Sequence, residues 1–398
     1  MKSTDLPRTF AQDSHEKSKK LSLKNRQISG QRCGVNTDKR YMELCLKLAK
    51  KGVEKASPNP MVGAVIVKDG KIVRKGYHRY FGGAHAEIKA LKRAKGKAND
   101  AIMYINLEPC CHWGKTPPCV PEIIRAGIKK VVIAMKDPNP LVNGKGVKQL
   151  KVKGVRCKVG VLEKEAKELN RAYIKFITQK MPYVILKTAM SLDGKIATST
   201  GESKWITSPV AREYVHRLRA EVDVVLVGIN TIIKDNPLLT THNQGCNPLR
   251  VVIDPDLQIP LGSRVLNKKA KTLIFTTGNQ KNNSSKMQIL KKGGIKILSL
   301  AAKNGRINFK QIMQELAKMN ISSVLIEGGG KTNTYALEDK VVDEVMFFIA
   351  PKIIGGRDAL TPVEGKGIKI LSQVLRIKNL SIEKIGSDFL LKGKISFG

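Results

Sequence analysis

Apolar residues recur at helical spacing in Lys39–Gly52 (KRYMELCLKLAKKG), where Met42, Cys45, Leu46 and Ala49 share a face and a glycine closes the run as a C-cap would. Past it the period shortens. Met61–Val67 and Lys71–Lys75 are β-rich runs joined through Lys68, Asp69 and Gly70, and an Asp-Gly between such runs predicts a hairpin. Helical and strand patterns then alternate. Ala86–Lys95, Pro121–Ala126 (closed by Gly127) and Val147–Lys153 read as helices, and Ala101–Leu107, Lys130–Met135 and Val155–Val161 as strands. A hairpin followed by βα units predicts one mixed sheet covered by helices.

A charged helix is predicted from Glu163 to about Thr178, and Pro182 marks a junction. Beyond it, Tyr183–Thr188, Val222–Val227, Leu249–Asp254, Thr272–Thr276, Ser323–Ile326 and Glu344–Ile349 are β-like runs separated by helical or loop segments, so a second α/β sheet is expected. The NNSS stretch at Asn282 reads as a loop. No internal repeat is visible. The expected organisation is a disordered basic tail over residues 1–37, one α/β domain over 38–181 and another over 182–398.

Composition narrows the class. Hydrophobic content of 41% and charged content of 26% are ordinary for a globular chain, and no run approaches the roughly 18 apolar residues of a membrane span. The N-terminus has no apolar core of a signal peptide, and Asp5, Asp13 and Glu16 argue against a transit peptide. Seven cysteines at irregular spacing do not form a secreted disulfide framework, which favours a reducing compartment, the cytoplasm.

The net charge of +39 raises nucleic acid as a partner. Its distribution argues otherwise. Residues 1–36 hold eight Lys and Arg against three acids, so +34 is spread over the remaining chain, and aromatics for base stacking make up only 5%. A lysine-biased solvated surface, or an anionic small substrate, accounts for the charge better.

The candidate chemistry begins at Leu107–Cys119, LEPCCHWGKTPPC. The strand before it delivers Cys110 to its C-terminal end, where α/β sheets place ligands. Cys119 opens the next helix, where free N–H groups favour a thiolate. His85 opens an earlier helix, with Glu87 two residues on. One His and two Cys on zinc, with a Glu that is not a ligand, is the apparatus of hydrolytic deamination. Zinc brings the pKa of its water to about 7, and the carboxylate carries the proton to departing ammonia. A Cys110–Cys119 disulfide, Cys111 as ligand in place of Cys110, and His112 as ligand or substrate neighbour stay open. Cys33, Cys45, Cys157 and Cys246 read as structural.

Ser57–Gly63 (SPNPMVG), Gly76-Tyr77-His78, Gly83–Glu87 (GAHAE), Glu108-Pro109-Cys110 and Lys115–Cys119 (KTPPC) together resemble the deaminase half of the bifunctional riboflavin biosynthesis deaminase/reductase family. Eight residues separate Cys110 from Cys119, where nucleic-acid and cytidine deaminases place two. Cys111 departs from the serine more usual there. The resemblance implies a cytidine-deaminase-like three-layer domain with substrate contacts at Asn59, His78 and Lys115.

Lys187–Ser208 (KTAMSLDGKIATSTGESKWITS), His216–Arg219, Val227–Thr231, Asp235–Thr240 and Ile326–Gly330 resemble the reductase half, whose fold is similar to dihydrofolate reductase. A glycine triplet between a strand and a candidate helix at Lys331–Leu337 lets backbone N–H groups approach phosphates. The resemblance implies an NADPH site with Ala189, Trp205, Thr231, Asp235, Gly328, Gly329 and Gly330 as contacts. Lys187, Ser203, Arg219, Leu239 and Glu327 would face substrate. Lys187 and Asp193 are the candidate proton donors of the reduction. An arginine that the family often carries near His242 is absent. The activity implied is zinc-dependent deamination of 2,5-diamino-6-(5-phosphoribosylamino)pyrimidin-4-one followed by NADPH-dependent reduction of 5-amino-6-(5-phosphoribosylamino)uracil to its ribityl form. A homo-oligomer joined through the reductase half, small phosphorylated pyrimidines as partners and no nucleic acid or membrane complete the expectation.

Overall fold

The computed structural model describes residues 32–278, 284–303 and 305–397. The first helix, α1 (Arg32–Ala49), runs into a 3-10 turn at Lys50–Gly52. It starts before Lys39, so residues 32–37 of the expected tail are helical, and residues 1–31 lie outside the described residues.

The predicted hairpin forms as β1 (Gly63–Lys68) and β2 (Lys71–Tyr77), with a register shift between Ile66 and Val67. Then come α2 (Ala86–Ala94), β3 (Ile102–Leu107), α3 (Cys119–Arg125), β4 (Lys130–Met135), α4 (Lys145–Val152) and β5 (Arg156–Val159). The sheet order is β2-β1-β3-β4-β5, antiparallel across β2, β1 and β3 and parallel from β3 to β5. α1 lies on one face and α2 on the other, so β1 and β3 are buried on both sides. Any Cβ on Gly76 would collide with the carbonyl oxygen of Ala86. Its bare Cα lets β2 press against the start of α2, next to His85.

The single helix expected over 163–178 is two, α5 (Glu163–Leu169) and α6 (Arg171–Gln179). Asn170 breaks it at φ −102° and ψ 20°. The buried Asn170 side chain accepts from the Met61 amide at 2.8 Å and donates to the Met61 carbonyl at 3.1 Å. A side chain that satisfies a distant backbone this way competes with helix continuation.

The second sheet is built from β6 (Tyr183–Ser191), β7 (Val224–Gly228), β8 (Leu249–Ile253), β9 (Thr272–Thr277) and β10 (Lys296–Leu300). A short pair, β11 (Ala302–Lys303) with β12 (Arg306–Ile307), stands apart from it. β13 (Ser323–Ile326), β14 (Glu344–Ala350), β15 (Arg376–Ile385) and β16 (Asp388–Ser396) complete the main sheet. Its order is β10-β9-β8-β7-β13-β6-β14-β16-β15. The strands from β10 to β14 are parallel, and β16 and β15 add an antiparallel edge.

Among the helices here are α7 (Pro209–Ala220), α8 (Ile229–Asp235), α9 (Ser284–Lys292), α10 (Phe309–Lys318) and α11 (Gly330–Glu338). Alternate residues of the parallel strands enter two separate cores, one on each face. That two-sided burial explains the near-continuous apolar runs of the sequence. Part of the NNSS stretch lies outside the described residues, and its Ser284 and Ser285 open α9 instead of a loop. No described helix is long and apolar enough to cross a membrane.

Candidate active sites

His85 is the N-cap residue of α2, held extended at ψ 163°. Cys119 is the first residue of α3, and Cys110 follows the end of β3. These three ends converge. His85 Nδ1 lies 3.3 Å from Cys119 Sγ and 3.4 Å from Cys110 Sγ, and all candidate ligand atoms fall within 4.8 Å of one another. A tetrahedral zinc with bonds of about 2.0–2.3 Å needs donors about 3.5 Å apart, so the donor set fits that ion. The Cys119 amide also donates to Cys110 Sγ at 3.3 Å. Hydrogen bonding from Cys119 and from His85 draws the Cys110 thiol down to about 4, while the same pairing and burial push Cys119 up. Both cysteines are free, so no disulfide occupies the site.

Glu87, on the first turn of α2, is 3% exposed. Burial raises its carboxyl above the usual range, against the pull of His85. It lines a cleft of about 250 Å³ together with His85, Cys110, Asn59, His78 and Lys115. His78 stands between Asn59 Nδ2, 3.1 Å from its Nε2, and the Ala84 carbonyl, 3.3 Å from its Nδ1. Burial lowers His78 to about 4, so it is a neutral ring at pH 7. Lys115 is exposed, with its Nζ 3.8 Å from the centre of the Phe81 ring. His112 lines the same cleft outside the donor cluster, and its buried Nδ1 has no partner.

The roles of several residues of this cleft carry no local sequence signal. Thr116 Oγ1 lies 3.2 Å from His85 Nε2. Asp137, raised to about 6 by burial, accepts from the Tyr173 hydroxyl at 2.8 Å. Tyr173, Phe176 and Ile177 of α6 form a wall. The buried Glu108 is structural here: its carboxylate accepts from the amides of Asp137, Gly144 and Val147.

The second site is two adjoining clefts at the C-terminal ends of β6, β7 and β13. Thr231, Asp235, Gly329 and Ser203 border both. Gly330 lines the first, and Lys187, Ala189, Trp205, Arg219, Leu239, Glu327 and Gly328 line the second. Glu327 is the hub. Arg219 grips it with two bonds, Nε at 2.7 Å and Nη2 at 3.1 Å, and Lys187 Nζ lies 3.5 Å away. Burial alone would raise Glu327, but Arg219 and Lys187 prevail and hold it at about 2. Burial pushes Lys187 below its ordinary value, with Glu327 opposing.

Ser203 Oγ donates to Asp235 at 2.8 Å. Trp205 is 64% exposed with the Arg212 guanidinium 4.3 Å over its ring, so it is no core residue. Asp193 accepts from Ser191 Oγ and from the amides of Ile354 and Gly355, and it does not line the cleft. His242, where the arginine is absent, lines it with its ring stacked on His216 at 4.1 Å. Arg250 lies below, fully buried, and its guanidinium donates to the carbonyl of Leu238 beside Leu239.

No side chain caps Gly329 at the start of α11, so free N–H groups face the clefts. A Cβ on Gly329 would meet nothing within 4 Å, whereas one on Gly330 would collide with the Thr361 carbonyl. Gly329 keeps space for a ligand, and Gly330 is needed for packing. The residues fit a bound phosphate-bearing cofactor.

A His-Cys-Cys cluster beside a buried Glu in a three-layer domain, joined to a second α/β domain with its own ligand cleft, defines a bifunctional deaminase–reductase. The cytidine and deoxycytidylate deaminase zinc-binding region matches residues 35–135, and the RibD C-terminal domain matches residues 182–391. The chain belongs to the RibD family of riboflavin biosynthesis proteins. It is 45% identical over 360 residues to riboflavin biosynthesis protein RibD of Aquifex aeolicus (strain VF5), covering 89% of this chain and 97% of the relative. Identity to the Escherichia coli (strain K12) protein of the same name is 35% over 368 residues, covering 89% and 98%.

Among solved structures, Acinetobacter baumannii RibD (form 2) superposes with a TM-score of 0.80 at 34% identity, covering 91% of this chain and 100% of that one. A diaminohydroxyphosphoribosylaminopyrimidine deaminase/5-amino-6-(5-phosphoribosylamino)uracil reductase from Thermotoga maritima gives 0.80 at 36%, with the same coverage. The expected fold, a cytidine-deaminase-like domain followed by a reductase domain, is the observed one.

Proposed function

We propose that the first cleft removes the 2-amino group of 2,5-diamino-6-(5-phosphoribosylamino)pyrimidin-4-one and that the second reduces the deaminated product to its ribityl form. The observation that carries this is the buried Glu87 carboxyl beside the His85, Cys110 and Cys119 donors, on the wall of one cleft. Zinc held by those three residues would supply water acidified to a pKa of about 7. Glu87, with its raised proton affinity, takes a proton from the attacking water and returns it to the leaving amine. Asn59 and neutral His78 orient the ring, and Lys115 meets the phosphate as a mobile point charge.

In the second cleft NADPH would supply the hydride. Thr231, Asp235, Gly328–Gly330, Ala189 and Trp205 would hold it. Ser203, Arg219, Leu239 and Glu327 position the sugar. Lys187 delivers the proton, because it faces the cleft while Asp193 is turned to the 354–355 backbone. We take 38–181 and 182–398 as the two units, working in the cytoplasm where thiol ligands stay reduced. Small phosphorylated pyrimidines, and not nucleic acid, are the partners. The exposed outer strand β15, with Ile377, Leu380 and Ile382 exposed, supports pairing with a second copy.

The test is a paired assay of ammonia release and NADPH oxidation with the diaminopyrimidine phosphate. Glu87→Gln should lose ammonia release by about 10²–10⁴ and keep NADPH oxidation when the deaminated intermediate is supplied. Neither signal in zinc-loaded protein would sink the reading.

A further inference from the structure

We infer that the reductase sheet is a structural part of the deaminase site: it anchors two walls of the first cleft, with Lys175 and Ser57 as the positioning residues. The inference rests on the deaminase reading above.

The first wall is α6. One side of this short helix gives Tyr173, Phe176 and Ile177 to the cleft, and Tyr173 holds Asp137. The other side is tied to the second domain. Lys175 Nζ reaches Asp343 at 2.6 Å, and Arg171 Nε lies 3.1 Å from Glu344. Both acids are fixed in turn. Asp343 also accepts from the Val184 amide at 2.7 Å, and the 1% exposed Glu344 accepts from the Tyr183 hydroxyl at 3.0 Å. Lys394 of β16 adds a bond to Glu168 of α5 at 2.7 Å.

The second wall is the 57–60 loop, from which Pro58, Asn59 and Pro60 line the cleft. Ser57 Oγ donates to Asp223 at 2.8 Å and lies 2.9 Å from Ser322 Oγ. Asp223 is itself held by the amides and hydroxyls of Ser322 and Ser323. Asn170 links the two walls through both its bonds to Met61.

These anchors sit at the N-terminal ends of β6, β13 and β14, just before β7 or, for Lys394, near the C-terminal end of the antiparallel β16, which is the end of the sheet opposite the reductase clefts. α6 has no fully buried residue, and Ala172, Tyr173 and Ile174 are its partly buried contacts with the two cores. These bonds add to that partial packing in fixing its position. A displaced wall weakens its contacts with substrate in the ground and transition states alike, which raises KM and leaves kcat.

The experiment uses the full-length, zinc-loaded chain carrying Lys175→Met with Ser57→Ala, and Lys175→Arg as the conservative control. KM for ammonia release should rise about fivefold or more with kcat little changed. NADPH oxidation on supplied intermediate should stay at the parent rate, amide exchange should quicken in segments 57–61 and 171–179, and Lys175→Arg should restore both readouts. Unchanged KM and exchange would overturn the inference, as would an equal fall in both activities, which marks general loss of structure. Should the parent itself release no ammonia, the functional reading fails. Exchange then decides the anchoring alone: unchanged rates in the two segments refute it.

Discussion

Thr116 Oγ1 lies 3.2 Å from Nε2 of His85, across the ring from the nitrogen that meets the two thiols. With a metal on Nδ1 the proton would stand on Nε2, and the hydroxyl would accept it and fix the plane of the ring. Thr116→Val should weaken zinc retention by about 10–100-fold, read by competition with a chromogenic chelator, and Thr116→Ser should recover most of it. Equal affinity in all three proteins would make the contact incidental.

Acid should act on the second domain through Glu327. Its folded carboxyl sits at about 2, below the ordinary value, so the unfolded chain binds the extra proton between the two. The stabilisation is present above about pH 4.3 and is lost as pH falls toward 2. Glu327→Gln should flatten that slope in melts followed from pH 5 downward. At pH 7 it should cost about 3–5 kcal/mol, because Arg219 stays buried without its counter-charge.

Lys187 and Asp193 can be separated kinetically. Lys187→Met should slow NADPH oxidation by about 10²–10⁴ under single-turnover conditions, with cofactor affinity retained. Asp193→Asn should leave the reductive step largely intact, since its carboxylate serves Ser191 and the 354–355 amides. The reverse order of effects would exchange the roles proposed for them.

Arg250 is a buried cation satisfied by neutral groups. It donates to Thr272 Oγ1, to the Asn267 side chain, and to the carbonyls of Leu238, Asn267 and Ala270. Arg250→Met would strand several acceptors, each worth about 1–3 kcal/mol when buried unpaired. A large fall in Tm is expected, with a raised KM for the reductive step because Leu239 adjoins Leu238. A variant as stable as the parent would contradict this account.

The metal cluster was legible because its members stand at the ends of local elements. His85 caps one helix and Cys119 begins another, so a strand-and-helix reading already brought them together. The glycine triplet was legible for the same reason. Thr116, Asp137 and Tyr173 were not, because their roles depend on contacts between segments that no periodicity encodes. The split at Asn170 escaped the helical pattern because its cause, the backbone of Met61, lies 109 residues away. β15 escaped too. Nine of its ten residues are exposed, so no burial imposes the alternation that marks a strand.

The anchoring of the first domain on the floor of the second sheet changes what it means to call the halves modules. Severed near residue 182, one piece would present Arg171 and Lys175 without Glu344 and Asp343, and the other would present those two acids without their partners. Each cut face would carry stranded charges of both signs, since Glu168 would also lose Lys394. Swapping either half for a relative's would therefore require transplanting the matching acid or base set across the seam, so that the two behave as a matched graft and not as interchangeable cassettes.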